Sequence, residues 1–405
     1  MKKLLFVINT LGRAGAETAL LELLRHLNPE KYSVSLYVLM GQGELARELP
    51  EHVRLLNRRY SDRPVLNRQG QRRMAGQVLR AMLARGTAAR LSPYLCRNFL
   101  DMLEKRDVRV DKLLWRVLSD GGQRLEERYD LAVAFLEGGA TYYVADHVEA
   151  RKKAAFVHVD YGQAGYTRAL DRECYLKYDR IFTVSGEVRT AFLRAYPECE
   201  ARTEIFHNIL NRERILRLAQ LPGGFEDGFE GLRLLTLGRL ARQKALEVSI
   251  QAMRLLKDAG EPVRWYVLGE GDQRAFLEER VRALGLEGDF LLPGAVRNPY
   301  PYLRQADLYV HASRFEGKSV AIQEAQVLGK AILVSDCSGN REQVEHGVDG
   351  MMCALTPEAI CREIQGLLRD REKRERLGKA AAARTQTDGT ELEKLLALLP
   401  ENERR

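Results

Sequence analysis

Residues 307–336, DLYVHASRFEGKSVAIQEAQVLGKAILVSD, restrict the possible folds more than any other stretch of the chain. Asp307 to Ala312 and Ala331 to Val334 are short apolar runs of β-formers. Between them Ala321, Ala325 and Leu328 recur at i, i+4 and i+7, and Gly329 stands where a helix C-cap belongs. Two strands joined through a helix run the same way, so the pattern predicts a strand–helix–strand unit of a parallel sheet. Phe315-Glu316-Gly317-Lys318-Ser319 is then the turn at the carboxyl end of the first strand, where open α/β sheets bind ligands. Gly317 admits a ligand close to the backbone, Ser319 can cap the helix, and the free N–H groups suit phosphate. Glu316 and Glu324 frame the turn with seven residues between them. Carboxylates repel phosphate, so they fit hydroxyls on either side of it, a sugar ring and a ribose. The plain alternative is an exposed helix with two solvated glutamates.

At 405 residues the chain has room for two domains with ample cores, and an apolar content of 45% is that of a globular protein. Cys96, Cys174, Cys199, Cys337, Cys353 and Cys361 show neither a C-x-x-C pair nor metal-ligand spacing, the pattern of reduced thiols in a cytosolic protein. The opening MKKLLFVINT has too short an apolar run for a signal peptide and leads straight into a glycine loop, so it reads as a first strand. No run reaches the length of a membrane span.

The net charge of +8 is unevenly placed. Arg63 to Arg116 holds 13 Lys and Arg against 4 Asp and Glu, which leaves the remainder near neutral. This segment reads as helices, such as Met74–Arg85 and Phe99–Glu104, basic outside with Leu, Met, Phe and Trp115 inside. It is either a solvated helical insertion or an amphipathic patch for anionic lipid or a polyanionic acceptor, with Arg72, Arg73, Arg80 and Arg85 as the lipid-facing cations. Few interleaved aromatics and no recognisable motif argue against nucleic acid.

Around the insertion, strands are expected at Leu4–Ile8, Ser33–Leu39, Val53–Leu56, Asp130–Leu136, Ala154–His158, Tyr178–Val184 and Thr203–His207. The loop after the first strand, with Gly12 and Gly15, is an incomplete dinucleotide fingerprint. His158 sits at a carboxyl-terminal strand end, where ligand groups gather. The glycine-rich, acidic Pro222–Gly231 reads as the linker between domains. Strands at Leu232–Leu237, Val263–Leu268 and Phe290–Pro293 then precede the opening unit. Gly347 and Gly350 punctuate a turn before a helix at Pro357–Leu368. Leu392, Leu395, Leu396 and Leu399 form a short amphipathic helix.

Several motifs in order now carry a resemblance. Gly238-Arg239-Leu240 with Lys244 resembles a G-R-L-x-x-x-K element, Gly269-Glu270-Gly271 a G-x-G turn, and Gly294 to Arg297, with Val296, a base-reading turn. Glu316 and Glu324 resemble an E-x7-E signature. Together they resemble the family-four retaining glycosyltransferases of the GT-B fold, and NPYPYLRQADLYVHAS resembles members that make bacterial capsule and exopolysaccharide. The likeness covers nearly all of the C-terminal half; in the N-terminal half it rests on Gly15, His158 and Asn208. The G-K-S after Glu316 departs from the pattern, and the basic helices have no counterpart.

The resemblance implies an α/β, GT-B fold of two Rossmann-like domains facing across a cleft, with a basic helical insertion at about 63–116. An acceptor domain would span 1–208, a donor domain 209–385, and a C-terminal helix in 386–405 would cross back to the first domain. It implies a nucleotide-sugar donor, a UDP-sugar, and transfer with retention to an acceptor hydroxyl on a lipid-linked or other glycan. Arg239 and Lys244 would hold the diphosphate, Glu316 the sugar hydroxyls, and Glu324 the ribose. Gly238, Gly269, Gly294, Val296, Gly317, Lys318 and Ser319 would line the donor site, and Gly15 and His158 the acceptor side of the leaving phosphate. No D-x-D occurs, so no metal or other cofactor is expected, and fixed cations and helix N-termini would do a metal's work. The place of action would be the inner face of the cytoplasmic membrane. A UDP-sugar 2-epimerase of similar shape and a non-catalytic nucleotide-dependent binding partner are the alternatives.

Overall fold

The computed structural model describes residues 1–65, 68–106, 108–384 and 390–400. It divides into two compact units, one running from Met1 to Ile209 and the other beginning at Leu210, with the C-terminal helix Thr390–Leu396 belonging to the first.

The first unit is built on β1 (Lys2–Ile8), β2 (Tyr32–Val38), β3 (Val53–Leu55), β4 (Tyr129–Ala134), β5 (Ala150–Val157), β6 (Arg180–Thr183) and β7 (Thr203–Ile205). They form one parallel sheet in the order β3-β2-β1-β4-β5-β6-β7. Leu4 to Ile8 are all fully buried, as the central strand of a sheet covered on both faces requires, and Leu4 pairs with Val34 on one side and Leu131 on the other. The second unit is built on β8 (Leu232–Leu237), β9 (Val263–Leu268), β10 (Phe290–Gly294), β11 (Leu308–His311), β12 (Ile332–Ser335) and β13 (Met351–Cys353), parallel in the order β10-β9-β8-β11-β12-β13. Both units therefore reverse their winding beside their first strand, between β1 and β4 and between β8 and β11. In doubly wound sheets that reversal opens the ligand crevice at the strand carboxyl ends.

Several elements went unread, and two of them show why. Met351–Cys353 is too short to show a period. The helix Arg371–Arg384 is charged almost all round and buries only Leu377, Gly378 and Ala381. Gly378 is its anchor: a Cβ there would come within 2.1 Å of the Gly329 carbonyl oxygen.

The segment Pro222–Gly231 is not the linker its composition predicted. It is strapped to the second unit. Phe225 packs 4.4 Å from Tyr266 and 5.1 Å from Tyr302, ring to ring, and Gln305 bonds to both Phe225 and Gly223. The Asp227 carboxylate accepts from Arg233 and Arg264, each at 3.0 Å, and from Tyr266. Glycine here supplies positive φ, +125° at Gly223 and +109° at Gly224, rather than freedom. The division falls earlier, before Asn211 caps the helix Arg212–Ala219 through the Arg214 N–H.

The insertion is three helices, Arg68–Leu83, Thr87–Glu104 and Val110–Gly121, with left-handed Arg85 and Gly86 turning the chain between the first two. Both pack on the third, which is the most buried, with Leu113, Val117 and Leu118 in the core. Its Arg116 is not part of a solvated basic face. It is 1% exposed, pairs with Asp146 at 2.5 Å, donates to the Asp171 carbonyl and lies over the Tyr142 ring. In the C-terminal helix, Lys394 donates to the Ile205 carbonyl at 2.9 Å. The expected boundary at 385/386 lies outside the described residues. Among the described residues no helix is long and apolar enough to cross a membrane.

Candidate functional site

At the winding reversal of the second unit, the loop after β8 and the loop after β11 meet through side chains. Lys244 comes from the turn Arg242–Lys244, and its Nζ lies 2.5 Å from Glu316 Oε1. The same Oε1 accepts from His311 Nε2 at 3.0 Å and from the Ser313 hydroxyl. Among the described residues Glu316 Oε2 has only Gln243 Nε2, at 3.4 Å, and so keeps most of its accepting capacity. Glu316 is 5% exposed. Burial pushes its carboxyl up, but the Lys244 charge and the His311 bond outweigh it and hold the group well below the usual carboxylate range. Burial, with Lys244 adding to it, lowers His311, which is therefore a neutral imidazole. A neutral ring that donates from Nε2 to a carboxylate must accept at Nδ1, and Tyr309 OH stands 2.9 Å from Nδ1. A chain Tyr309–His311–Glu316–Lys244 thus fixes one carboxylate oxygen and leaves the other available.

Arg239 contrasts with Lys244. It is exposed and has no ion pair or hydrogen bond to its side chain among the described residues. The glycines beside it serve loop stacking first. A Cβ on Gly269 would sit 1.8 Å from the Gly238 carbonyl oxygen, and one on Gly271 would sit 2.2 Å from that of Leu240. Leu240 N–H donates to the Glu270 carbonyl, and Gly269 N–H donates to the carbonyl of Gly294, whose φ is +100°. Val296 is half-buried in the loop that follows.

The turn at Glu316 is closed more tightly than its sequence suggested. Ser319 occupies the N-cap position of the helix Val320–Val327, but its side chain makes no capping bond. Its N–H is taken by Gln343 Oε1 at 2.6 Å, and Gln343 returns a bond to the Ser319 carbonyl at 2.9 Å. The free N–H expected there for phosphate is occupied. The loop after β12 seals the turn, for a Cβ on Gly339 would meet the Gly317 and Glu316 carbonyl oxygens at 2.5 and 2.6 Å. Gly317 is buried and Lys318 half-buried. Glu324 is not a solvated residue either. It is 7% exposed and accepts from Tyr300 OH at 2.9 Å. Burial raises its pKa to about 7, against the Tyr300 bond and the Arg214 charge. The two glutamates sit in separate polar networks.

The first unit has a matching arrangement. Asn9, at the end of β1, accepts from Ala140 N–H at 2.7 Å and donates to the Glu137 carbonyl at 3.0 Å, tying the loops after β1 and β4. Glu137 Oε2 accepts from the His158 N–H at 3.0 Å. The His158 ring lies 5.1 Å from Phe135 and 6.0 Å from Phe156, and its Nε2 is buried with no hydrogen-bond partner among the described residues. Burial lowers its pKa to about 4, so it is neutral at physiological pH. Gly15 opens the helix Gly15–Arg25, whose N-cap Ala14 offers no side-chain bond.

The four arginines read as one cationic face are not equivalent. Arg72, Arg73 and Arg80 are exposed and unpaired among the described residues. Arg85 is pinned, donating to the Gly122 carbonyl at 2.5 Å, because it must close the helix turn at φ +51°. His311, Ser313, Tyr300, Gln343 and Asn9 were missed as site residues. His311 looked like one more strand position, and Gln343 carries no local signal at all.

Residues 230–384 match the family described as Glycosyl transferases group 1. The amylovoran biosynthesis glycosyltransferase AmsK of Erwinia amylovora is 32% identical over 145 residues, 34% of this chain and 35% of that protein. The N-acetylgalactosamine-N,N'-diacetylbacillosaminyl-diphospho-undecaprenol 4-alpha-N-acetylgalactosaminyltransferase of Campylobacter jejuni is 32% identical over 142 residues, 35% of this chain and 37% of that protein. The chain thus spans little more than a third of the length of these curated relatives. Anabaena HepE, solved in complex with UDP-glucose, superposes with a TM-score of 0.69 at 18% identity over 98% of both chains, a likeness of fold. Over residues 230–384 the chain is thus similar to the group 1 glycosyl transferases, and the chain as a whole has the GT-B fold.

Proposed function

We propose that the protein is a retaining glycosyltransferase of hexosyl type. It moves a sugar from a nucleoside-diphosphate donor, a UDP-sugar, to a hydroxyl of a lipid-linked glycan during assembly of a bacterial surface polysaccharide. The observation that carries the reading is the division of labour at the reversal between β8 and β11, where Arg239 is exposed and, among the described residues, unpaired, while Lys244 is locked to buried Glu316. As the glycosidic bond lengthens, negative charge grows on the departing diphosphate. An unpaired guanidinium can meet it with two parallel bonds, and Lys244 lies five residues on to share it. The ionised Glu316 offers Oε2 to hydroxyls of the donor sugar while Lys244, His311 and Ser313 hold its other oxygen. Glu324 takes the ribose, and His158 with Gly15 serves the acceptor side. The reaction needs no metal in this reading, since no D-x-D is present to hold one.

Other support comes from the relatives. HepE was solved with UDP, with UDP and glucose, and with UDP-glucose. The Campylobacter enzyme's name specifies a diphospho-undecaprenol acceptor, and the Erwinia enzyme's name specifies amylovoran. The protein then works in the cytoplasm, at the inner membrane face. The test is mass spectrometry of products from a panel of nucleotide sugars with polyprenyl-diphosphate-linked acceptors. A glycan lengthened by one sugar supports the reading, and donor turnover without any acceptor contradicts it.

A further inference from the structure

The helical insertion exposes apolar side chains as well as cations. On the helix Arg68–Leu83, Met74, Val78, Ala81 and Met82 pack inward. Leu79 and Leu83, one turn apart, are 58% and 73% exposed on the other side, beside Arg72 and Arg80. On the helix Thr87–Glu104, Leu91, Tyr94, Asn98 and Met102 face in. The opposite face carries Pro93, Cys96, Leu100 and Leu103, all exposed, with Leu100 at 64% and Phe99 on its flank at 40%. Isolated exposed leucines need no explanation, but two adjoining helices that each expose large apolar side chains on the outer face do.

We propose that the outer faces of these two helices insert into the interfacial region of an anionic lipid bilayer, with Leu79, Leu83, Phe99, Leu100 and Leu103 below the headgroups and Arg72, Arg73 and Arg80 on the lipid phosphates. Charge selects this occupant over a second copy of the chain. The helix Arg68–Leu83 contains no acidic residue, so its exposed arginines would find no carboxylate on the same helix of a second copy. A bilayer offers phosphates at the level of the arginines and hydrocarbon at the level of the leucines. The inference rests on the membrane part of the reading above and deepens it from electrostatic adsorption to insertion. It requires nothing of sugar transfer.

Cys96 provides the probe, because it alone of the six cysteines is exposed and it lies on the apolar face. The full-length protein, labelled there with an environment-sensitive fluorophore, is mixed with vesicles of phosphatidylglycerol and phosphatidylcholine. The expected result is blue-shifted, brighter emission that largely survives addition of about 0.5 M salt, where screening is strong. Leu79→Ser, Leu83→Ser, Leu100→Ser and Leu103→Ser together should weaken vesicle binding at least about tenfold and abolish the salt-resistant part. Arg72→Gln, Arg73→Gln and Arg80→Gln together should remove the preference for phosphatidylglycerol. Binding that salt fully reverses, with unchanged Cys96 emission, overturns insertion. So does a lipid-free, concentration-dependent emission change with dimer formation by light scattering. Nucleoside-diphosphate binding, measured without lipid, reports on the donor site separately, so the two readings fail independently.

Discussion

Lys244 and Glu316 lie 72 residues apart in sequence and 2.5 Å apart in space, joined across the reversal between β8 and β11. Both are largely buried, with side chains 15% and 7% exposed, and the Lys244 charge helps hold the Glu316 carboxyl ionised. Removing one partner of a buried pair typically costs about 3–5 kcal/mol, whereas replacing both with neutral groups of similar volume is often nearly neutral. Lys244→Ala should therefore lose stability as well as turnover. Lys244→Met combined with Glu316→Gln should recover most of the stability and none of the activity. Urea unfolding beside donor turnover separates the two effects.

Arg239 should behave in the opposite way. It is exposed and, among the described residues, has no ion pair or hydrogen bond to its side chain, so Arg239→Ala should leave unfolding within about 0.5 kcal/mol of wild type. If its charge meets the leaving diphosphate, a lost charged hydrogen bond of roughly 1.5–3 kcal/mol cuts kcat about tenfold to a hundredfold. Kinetics unchanged by the substitution would remove Arg239 from the site.

The buried titratable groups predict pH slopes of opposite sign. Glu324 is raised to about 7 by burial, so the folded state holds a proton that the unfolded state releases. That contribution is complete below the ordinary glutamate range and is lost as pH rises towards 7. His158 is lowered to about 4 by burial, so its contribution is complete above the ordinary histidine range and is lost as pH falls towards 4. Glu324→Gln should stabilise the second unit at pH 8 more than at pH 5. His158→Phe, placed between Phe135 and Phe156, should relieve acid destabilisation of the first unit. Unfolding followed across pH for each variant checks both signs.

The two glutamates should also differ in ligand binding. Glu324→Gln should weaken binding of free nucleoside diphosphate, through the ribose. Glu316→Gln should leave that binding nearly intact and depress transfer. Calorimetry with nucleotide alone decides, and equal effects of both substitutions would contradict the assignment.

The strands were legible because parallel strands covered on both faces are written as unbroken apolar runs, as at Leu4–Ile8 and Trp265–Leu268. The helix Arg371–Arg384 was not, because it touches the core at only a few positions and shows no apolar period. Composition misread Pro222–Gly231, where Phe225 and Asp227 find their partners on strands and helices well downstream. At the site, residue types pointed to Arg239, Lys244 and Glu316. That Lys244 and Glu316 bind each other, and that Gln343 takes the Ser319 N–H, follows from strand order, which no local spacing encodes.

The central claim is transfer from a nucleotide sugar to an acceptor at the reversal between β8 and β11. Nucleoside-diphosphate release from UDP-sugars, with and without a polyprenyl-diphosphate-linked glycan, tests it most directly in wild type, Arg239→Ala and Glu316→Gln. The account predicts release that depends on acceptor, a retained anomeric configuration in the product, and severe loss in both variants. Release indifferent to acceptor, or equal in all three proteins, would contradict it.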